Sequence, residues 1–547
     1  MSVSNRYQPT SYLMWFRRDL RIHDNTALSV LFDKLKDALH EKHKNKTNDL
    51  PVPKVLALYT LTPKQWLNQG MSVLQMDFIF RTLKQLATTL ANELEVYLHL
   101  IYSDSFASSI NEIVQFCNDH DITQVFANIE YEINEQHRDQ RLTAQLAVQD
   151  IEFNLFHDQC ILPPNTVKTN DDTLYKVFTP FYKKWQSILT ASPVEVYEAP
   201  SSITGSITRS RNSNSKPNSD SKPNSTDNLD RLLTQIDDYH QQTLVLFKQH
   251  YTLAQSTLDT LLKQANTDYP AGEYTAKKRL KSFIKKDITN YDTARDKPAD
   301  NSTSHLSAYL TVGSLSARLC YHMASKQLSQ NQSGDASATD VKRWISELAW
   351  RDFYRHVIVD RPDIVKGTAY NKQADKKVIW SYDMDDFQVW CQGRTGVPLV
   401  DAAMRCLNQT GFMHNRLRMV TAMFLTKDLF IDWRWGERYF MQRLIDGDFA
   451  SNNGGWQWSA SVGTDAAPYF RIMNPFSQAK THDKDALFIK TWLPELAQIP
   501  ANILHDEHKL RQALSPQGAY NNVNYPTPMV EHKQARLYAI GQFKAGK

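Results

Sequence analysis

The chain changes its hydrophobic period once, and that change restricts its fold more than any other feature. Up to His157, short apolar runs alternate with amphipathic stretches such as Met71–Leu94. The runs Tyr12–Phe16, Lys54–Leu61, Val96–Tyr102, Gln124–Tyr131 and Ile151–His157 have the length and composition of strands. Strands spaced by helices predict a parallel sheet, because parallel neighbours need a crossover between them. From about Leu232 onward strand-like alternation is scarce and the spacing is helical. Pro398–Gln409 is one case: a proline opens it, and Val400, Ala403, Met404 and Leu407 share a face. Phe412–Phe430 and Trp435–Leu444 follow the same rule, whereas Asp446–Trp458 reads as a loop broken by Gly, Asn and Asp.

Between the two regimes lies Pro200–Asn228, rich in Ser, Asn, Pro and Lys, with SKPNS at 215 and again at 221. Such a composition cannot bury a core and reads as a flexible linker. Lys36–Lys54, rich in lysine and histidine, reads as an exposed insertion. The predicted fold class is therefore α/β plus all-α. A parallel, Rossmann-like α/β domain spans 10–160, a connection 161–230, and a helical domain 231–530. A length of 547 residues suits such a division.

Composition narrows the partners. A net charge of +4 allows a nucleic acid without requiring one. Cys117, Cys160, Cys320, Cys391 and Cys406 are odd in number and form no CxxC, which argues against a disulfide framework or zinc site. The expectations are no metal, a reducing cytoplasmic setting and no membrane span, since neither a signal peptide nor an apolar run of membrane length is present. Ligands of open parallel sheets bind at strand carboxyl ends, but no GxGxxG is present to mark a dinucleotide there.

Twelve tryptophans occur, nine of them between Trp344 and Trp492, so that region holds the densest chemistry. In WISELAWRDFY (344–354), Trp344, Glu347, Trp350 or Arg351, and Tyr354 share a helical face. A carboxylate between indoles is poorly solvated, so its pKa should rise. MHNRLRM (413–419) offers Asn415, Arg416, Arg418 and Met419, with guanidiniums suited to phosphate. NSTSHLS (301–307) crowds hydroxyls before a helix, and Asp446–Trp458 lets backbone approach a ligand closely. Taken singly, each is equally a core helix, a solvated basic face, a cap or a polar turn.

Taken together, these segments resemble the photolyase–cryptochrome family, most closely its class I cyclobutane pyrimidine dimer photolyases. The resemblance runs through WFRRDLRIHDNTAL (15–28), YKVFTPFYKKW (175–185), RDKP (295–298), ELAWRDFYRH (347–356), GRTGVPLVDAAMRCL (393–407), GFMHNRLRMVTAMFLTKDLFIDWRWGERYF (411–440) and DGDFASNNGGWQWSASVGTDAAPYFRIMNP (446–475). It implies a U-shaped FAD, reduced and anionic in the working enzyme. FAD would lie among Tyr291, Thr303, Ser304, Leu306, Ser307, Trp344, Asn415, Arg418, Asp446, Gly447 and Asp448. His305 stands where an arginine is usual. Asn452 would face flavin N5, and Trp380, Trp433 and Trp456 would form the indole chain that reduces the photoexcited flavin.

The resemblance further implies light-dependent repair of pyrimidine dimers in damaged DNA, independent of base sequence, by a monomer. Glu347, Trp350, Tyr354, Met419 and Trp458 would receive the flipped-out dimer, with Asn415 and Arg416 at its edge. Arg295, Arg351 and Arg416 would meet backbone phosphates. A 5,10-methenyltetrahydrofolate antenna would fall on Asn134, Glu135 and Lys366, with Gln69 where a histidine is often used. The competing implications are a (6-4) photolyase, which places histidines in its lesion pocket, and a cryptochrome photoreceptor without repair activity.

Overall fold

Strand β1 (Ser11–Phe16) is apolar on both faces, and this places it at the centre of a sheet covered on both sides. In the computed structural model, which describes residues 11–44, 53–202, 223–330 and 336–545, β1 pairs with β2 (Lys54–Leu61) and with β4 (Ile122–Asn128). β3 (Leu98–Tyr102) and β5 (Glu152–Phe156) complete a five-stranded parallel sheet in the order β3-β2-β1-β4-β5. Every strand expected from the sequence is present. Alternation along β1 sends Tyr12, Met14 and Phe16 into the large core, and Leu13 and Trp15 into a smaller one on the opposite face.

The strand order reverses between β1 and β4, where a sheet of this kind opens a crevice. Here charge fills much of it. Arg17 pairs with Asp139 at 2.6 Å, Arg138 with Glu130 at 2.9 Å and Arg18 with Glu132 at 2.8 Å.

The two halves share one core. The large cluster continues from β1 through Phe78 and Phe80 to Leu232 and Ile236, and on to Trp344 and Leu348. Polar ties reinforce it. Arg318 bonds Asp24 at 3.1 Å and Asp158 at 2.8 Å, all three buried. Asp352, in the helix Ala336–Asp360, accepts from the backbone N–H groups of Ile161 and Leu162 and from Trp185 Nε1, at 3.0–3.1 Å. That carboxylate fixes the start of the connection against the helical half.

Three expectations need correction. Pro200–Asn228 is not linker throughout: residues 203–222 lie outside the described part, but the helix Pro223–His250 begins inside it and packs on the helix Val73–Thr89. Apolar spacing from Leu229 onward recruits the preceding polar turn into the helix. Lys36–Lys54 is likewise not all insertion, since the helix Thr26–Lys44 runs into it and β2 begins at Lys54; residues 45–52 are outside the described part. Asp446–Trp458 is a loop only as far as Asp448, and the helix Phe449–Ala460 carries the rest. Asp448 caps it by accepting from the Ser451 N–H at 3.0 Å and its hydroxyl at 2.6 Å.

Phe412–Phe430 forms the helix Asn415–Met423 followed by a wider turn, Phe424–Asp428. Trp435–Leu444 begins earlier, at Trp433, because Asp432 caps it. All five cysteines are free and buried. No helix among the described residues is long and apolar enough to cross a membrane.

Asp352→Ala would strand three buried donors at once. The expected loss is about 3 kcal/mol of stability or more in chemical denaturation; an unchanged midpoint would show that the connection is held by apolar packing alone.

Candidate active site

The helix Ala336–Asp360 supplies one wall of a deep cavity of about 510 Å³. Its face at helical spacing brings Trp344, Glu347, Trp350, Arg351 and Tyr354 to the lining. Opposite stands the helix Asn415–Met423 with Asn415, Arg416, Arg418 and Met419. Tyr291 and the turn Thr303–Ser307, including Ser304, His305 and Leu306, close one end. Asp446, Asp448, Ser451, Gly455 and Trp458 close another.

Glycine makes the closeness possible. A Cβ on Gly454 would come within 2.2 Å of the Tyr354 ring, whereas a Cβ on Gly455 would meet nothing within 4 Å. Thus the NNGG run serves helix-to-helix contact on one side and open cavity on the other. The signals that suggested a loop are packing signals here.

The charges around the cavity are paired. Arg355 bonds Asp448 at 2.6 Å. Burial alone would raise the Asp448 carboxyl, but Arg355 and Arg351 hold it below the ordinary carboxylate range. Arg418 bonds Asp446 at 2.8 Å and the Met413 carbonyl at 2.7 Å. Arg416 bonds Asp296 at 2.6 Å, and Arg295 pairs with Glu347. Even so, Glu347 has a raised pKa, because desolvation outweighs Arg295 and Arg343. His414 caps its helix through Nδ1, and burial pushes its pKa down to about 4, so it is neutral at pH 7.

Some expected residues stand apart. Arg351 lines the cavity, but its guanidinium donates to the backbone carbonyls of Gln159 and Leu310. Those donors brace the wall; sequence alone cannot tell an inward arginine from an outward one. Asn452 and Gly447 are not part of the lining: the Asn452 amide donates to the Glu437 carbonyl at 2.9 Å, and the Gly447 carbonyl accepts from Gln75 at 2.8 Å. Trp380, Trp433 and Trp456 sit in a second apolar cluster outside the cavity. Glu135 is buried beside Arg18 and Arg138, accepts from Gln69 Nε2 at 3.0 Å, and is raised to about 7 by burial and by Glu132 and Glu130. Asn134 and Lys366 are exposed.

Phe178 is the main addition. Its ring stacks on Trp350 with centroids 3.7 Å apart and planes at 8°, and its N–H donates to Asp465 at 3.0 Å. It belongs to the YKVFTPFYKKW segment, but only the fold brings residues 178 and 350 together. Asp296 and Ser451 join the lining in the same way.

The cavity suits a dinucleotide. Trp344, Tyr291, Phe412 and Leu310 give an apolar wall, the hydroxyls of Thr303, Ser304 and Ser307 a polar turn, and the backbone at Gly455 leaves open space. The residues present fit FAD, and Arg418 with the hydroxyl turn would hold its polar middle.

The fold and cavity define a two-part dinucleotide-binding protein, a parallel α/β unit set on a helical one. Comparison with known proteins completes this. Residues 12–201 match the family described as DNA photolyase, and residues 344–545 match the FAD binding domain of DNA photolyase. The deoxyribodipyrimidine photo-lyase of Escherichia coli (strain K12) is 39% identical over 538 residues, covering 98% of this chain and 99% of that protein. The one from Vibrio cholerae is 37% identical over 541 residues, covering 98% and 99%. Among solved structures, a bacterial class III photolyase from Agrobacterium tumefaciens superposes with a TM-score of 0.76 at 26% identity, covering 100% of this chain and 99% of that one. A Synechocystis cryptochrome gives 0.72 at 25%, covering 98% and 99%. The chain belongs to the DNA photolyase family, and its helical half is an FAD-binding domain.

His305, where the family resemblance leads one to expect arginine, has a left-handed backbone (φ 49°) and packs on Phe412 at 5.1 Å. Burial, then Arg279, lowers its pKa, so it carries no charge at neutral pH. His305→Arg is expected to tighten FAD about threefold or more, read by equilibrium dialysis. In the unaltered chain retention should improve as pH falls through the lowered pKa. Equal affinities in both proteins would show that position 305 does not reach the diphosphate.

Proposed function

We propose that this chain repairs cyclobutane pyrimidine dimers in DNA with light and bound FAD. One observation carries the reading: a single cavity is lined both by the flavin-type set around Trp344, Ser307 and Asp446 and by Glu347, Trp350, Met419 and Trp458. When bound, FAD supplies light absorption and the single-electron chemistry that opens the cyclobutane ring.

The protein's part is binding and electrostatics. Trp350 and Trp458 are half-buried and offer flat apolar faces to an extruded pyrimidine pair, which is least costly to flip when damage has weakened its stacking. Phe178 backs Trp350, so that indole is held in place before substrate arrives. In its protonated form, which the raised pKa favours, Glu347 donates its carboxyl O–H to a pyrimidine carbonyl, and Asn415 and Tyr354 border the same space. Arg295 and Arg416 at the mouth meet backbone phosphates, so binding is independent of sequence and weakens with salt.

An antenna of the 5,10-methenyltetrahydrofolate type would use Asn134, Glu135 and Lys366. Glu135 keeps one buried carboxylate oxygen without a donor among the described residues, a need that an amino-pterin N–H would meet. The protein acts as a cytoplasmic monomer in this reading.

The direct assay gives holoprotein a dimer-bearing oligonucleotide under lamps and in the dark, beside one bearing a (6-4) lesion. Restoration of the dimer strand alone, and only in light, is expected; restoration of the (6-4) strand alone would replace this reading with the rival photolyase.

Glu347→Ala should lower repair per photon about 10-fold or more while FAD content is unchanged. The sign with pH follows from the raised pKa: the Glu347 donor is lost as pH rises through it. Repair per photon should fall as pH rises through that raised pKa in the unaltered enzyme and stay flat in Glu347→Gln. A flat profile in both would remove Glu347 from the mechanism.

A further inference from the structure

The three indoles outside the cavity differ in what their N–H groups meet. Trp456 is buried, and its Nε1 has no acceptor among the described residues. Its ring edge lies over Gly436, where a Cβ would come within 2.1 Å of Cη2. Gly436 belongs to the helix Trp433–Met441, one turn beyond Trp433, so Trp456 packs on the helix that carries Trp433, with its ring against Phe440 at 5.0 Å and Trp390 at 6.1 Å. Trp433 and Trp380 both donate their indole N–H to the same atom, Oδ1 of Asp375, each at 3.2 Å.

Asp375 sits in the short helix Lys372–Lys377, and 15% of its side chain is exposed. Its other oxygen accepts from Arg434 Nη2 at 2.5 Å. The Arg434 guanidinium also lies 4.6 Å from the Trp433 ring centroid. The Trp380 ring instead packs on Phe430 at 5.8 Å. Two indoles therefore share one anion, the third donates to none among the described residues, and the Arg434 cation, which also pairs with Asp432 at 3.1 Å, sits over the Trp433 ring.

We propose that Asp375 draws positive charge outward along the indole chain during photoreduction of bound FAD. The inference rests on the reading above, in which Trp456, Trp433 and Trp380 feed electrons to the flavin. One electron leaves Trp456 for light-excited FAD, the oxidant; Trp433 refills Trp456, and Trp380 refills Trp433. No bond forms or breaks along the chain, and Trp433 and Trp380 keep their N–H protons along their hydrogen bonds to Asp375. The deficit left on Trp380 is filled by one electron from an external thiolate, which leaves as a thiyl radical.

Coulomb energy sets the direction. An oxidised indole carries a unit positive charge, and a carboxylate at hydrogen-bond distance stabilises it strongly where little water intervenes. Trp456 has no such partner, so the charge moves away from it. At Trp433 the Arg434 cation opposes the carboxylate, whereas Trp380 has the carboxylate with an apolar neighbour. The gradient runs to Trp380. Asp375 is thus a positioning residue, acting through the two indoles it holds.

The test is flash photolysis of the oxidised holoprotein, following tryptophan radical absorbance, with FAD content and melting temperature as folding controls. Asp375→Asn keeps an acceptor oxygen but removes the charge, and it should cut the long-lived radical yield about 10-fold. Arg434→Gln removes the opposing cation and should leave that yield equal or higher. Trp380→Phe is the reference for the chain itself. If Trp380→Phe retains the full signal, the indole-chain reading fails. If Trp380→Phe loses it while Asp375→Asn retains it, the present proposal is overturned. Equal losses in Asp375→Asn and Arg434→Gln would also overturn it, because the carboxylate would then serve only as an anchor.

Discussion

The cavity depends on the buried ion pair between Arg355 and Asp448, which joins the helix Ala336–Asp360 to the start of the helix Phe449–Ala460. Both side chains are enclosed, so neither charge can exist there without the other. Asp448 is doubly committed, since it also caps the second helix through Ser451. The pair fixes how close the two helices stand. Gly454 then lets Tyr354 fill the contact, and Gly455 leaves the adjacent face open. Cap, ion pair and glycine contact together hold one wall against another without filling the space between them.

Around that frame the same device recurs. Arg418 with Asp446, Arg416 with Asp296 and Arg295 with Glu347 place opposite charges in couples around an aromatic interior. The lining carries five arginines, Arg295, Arg343, Arg351, Arg416 and Arg418, beside four carboxyls, Asp296, Glu347, Asp446 and Asp448. Glu347 departs from this balance. Its carboxyl is raised despite two nearby arginines, and that separates it from Asp448, whose partners win against burial. Two acidic groups on one cavity thus have pKa values pushed in opposite directions, because burial outweighs the arginines at Glu347 and the arginines outweigh burial at Asp448.

Much of this was legible in the sequence. The strands read correctly because parallel strands buried on both faces are short continuous apolar runs, and turn residues bound them. Helical spacing placed Trp344, Glu347, Trp350 and Tyr354 on one face, and the structure puts that face on the cavity. What failed did so for physical reasons. In NNGGWQW, glycine marks close contact between helices, and local propensity cannot distinguish that from a turn. At Pro200–Asn228, polar composition concealed the first turn of a helix stabilised by packing on Val73–Thr89. The spacing left Trp350 or Arg351 on the Glu347 face, and no sequence rule shows that the Arg351 guanidinium donates to the carbonyls of Gln159 and Leu310. Phe178 meets Trp350, and Asp375 meets Trp433, only through the fold, and no spacing rule reaches those pairs.

The central claim is that flavin and an extruded dimer occupy one cavity in contact range. The most direct measurement is the fluorescence lifetime of reduced FAD in the holoprotein, alone and with oligonucleotides. A dimer-bearing strand should shorten that lifetime, and the same strand without the lesion should leave it unchanged. An identical lifetime with and without the lesion, at concentrations where the strand is bound, would contradict the account.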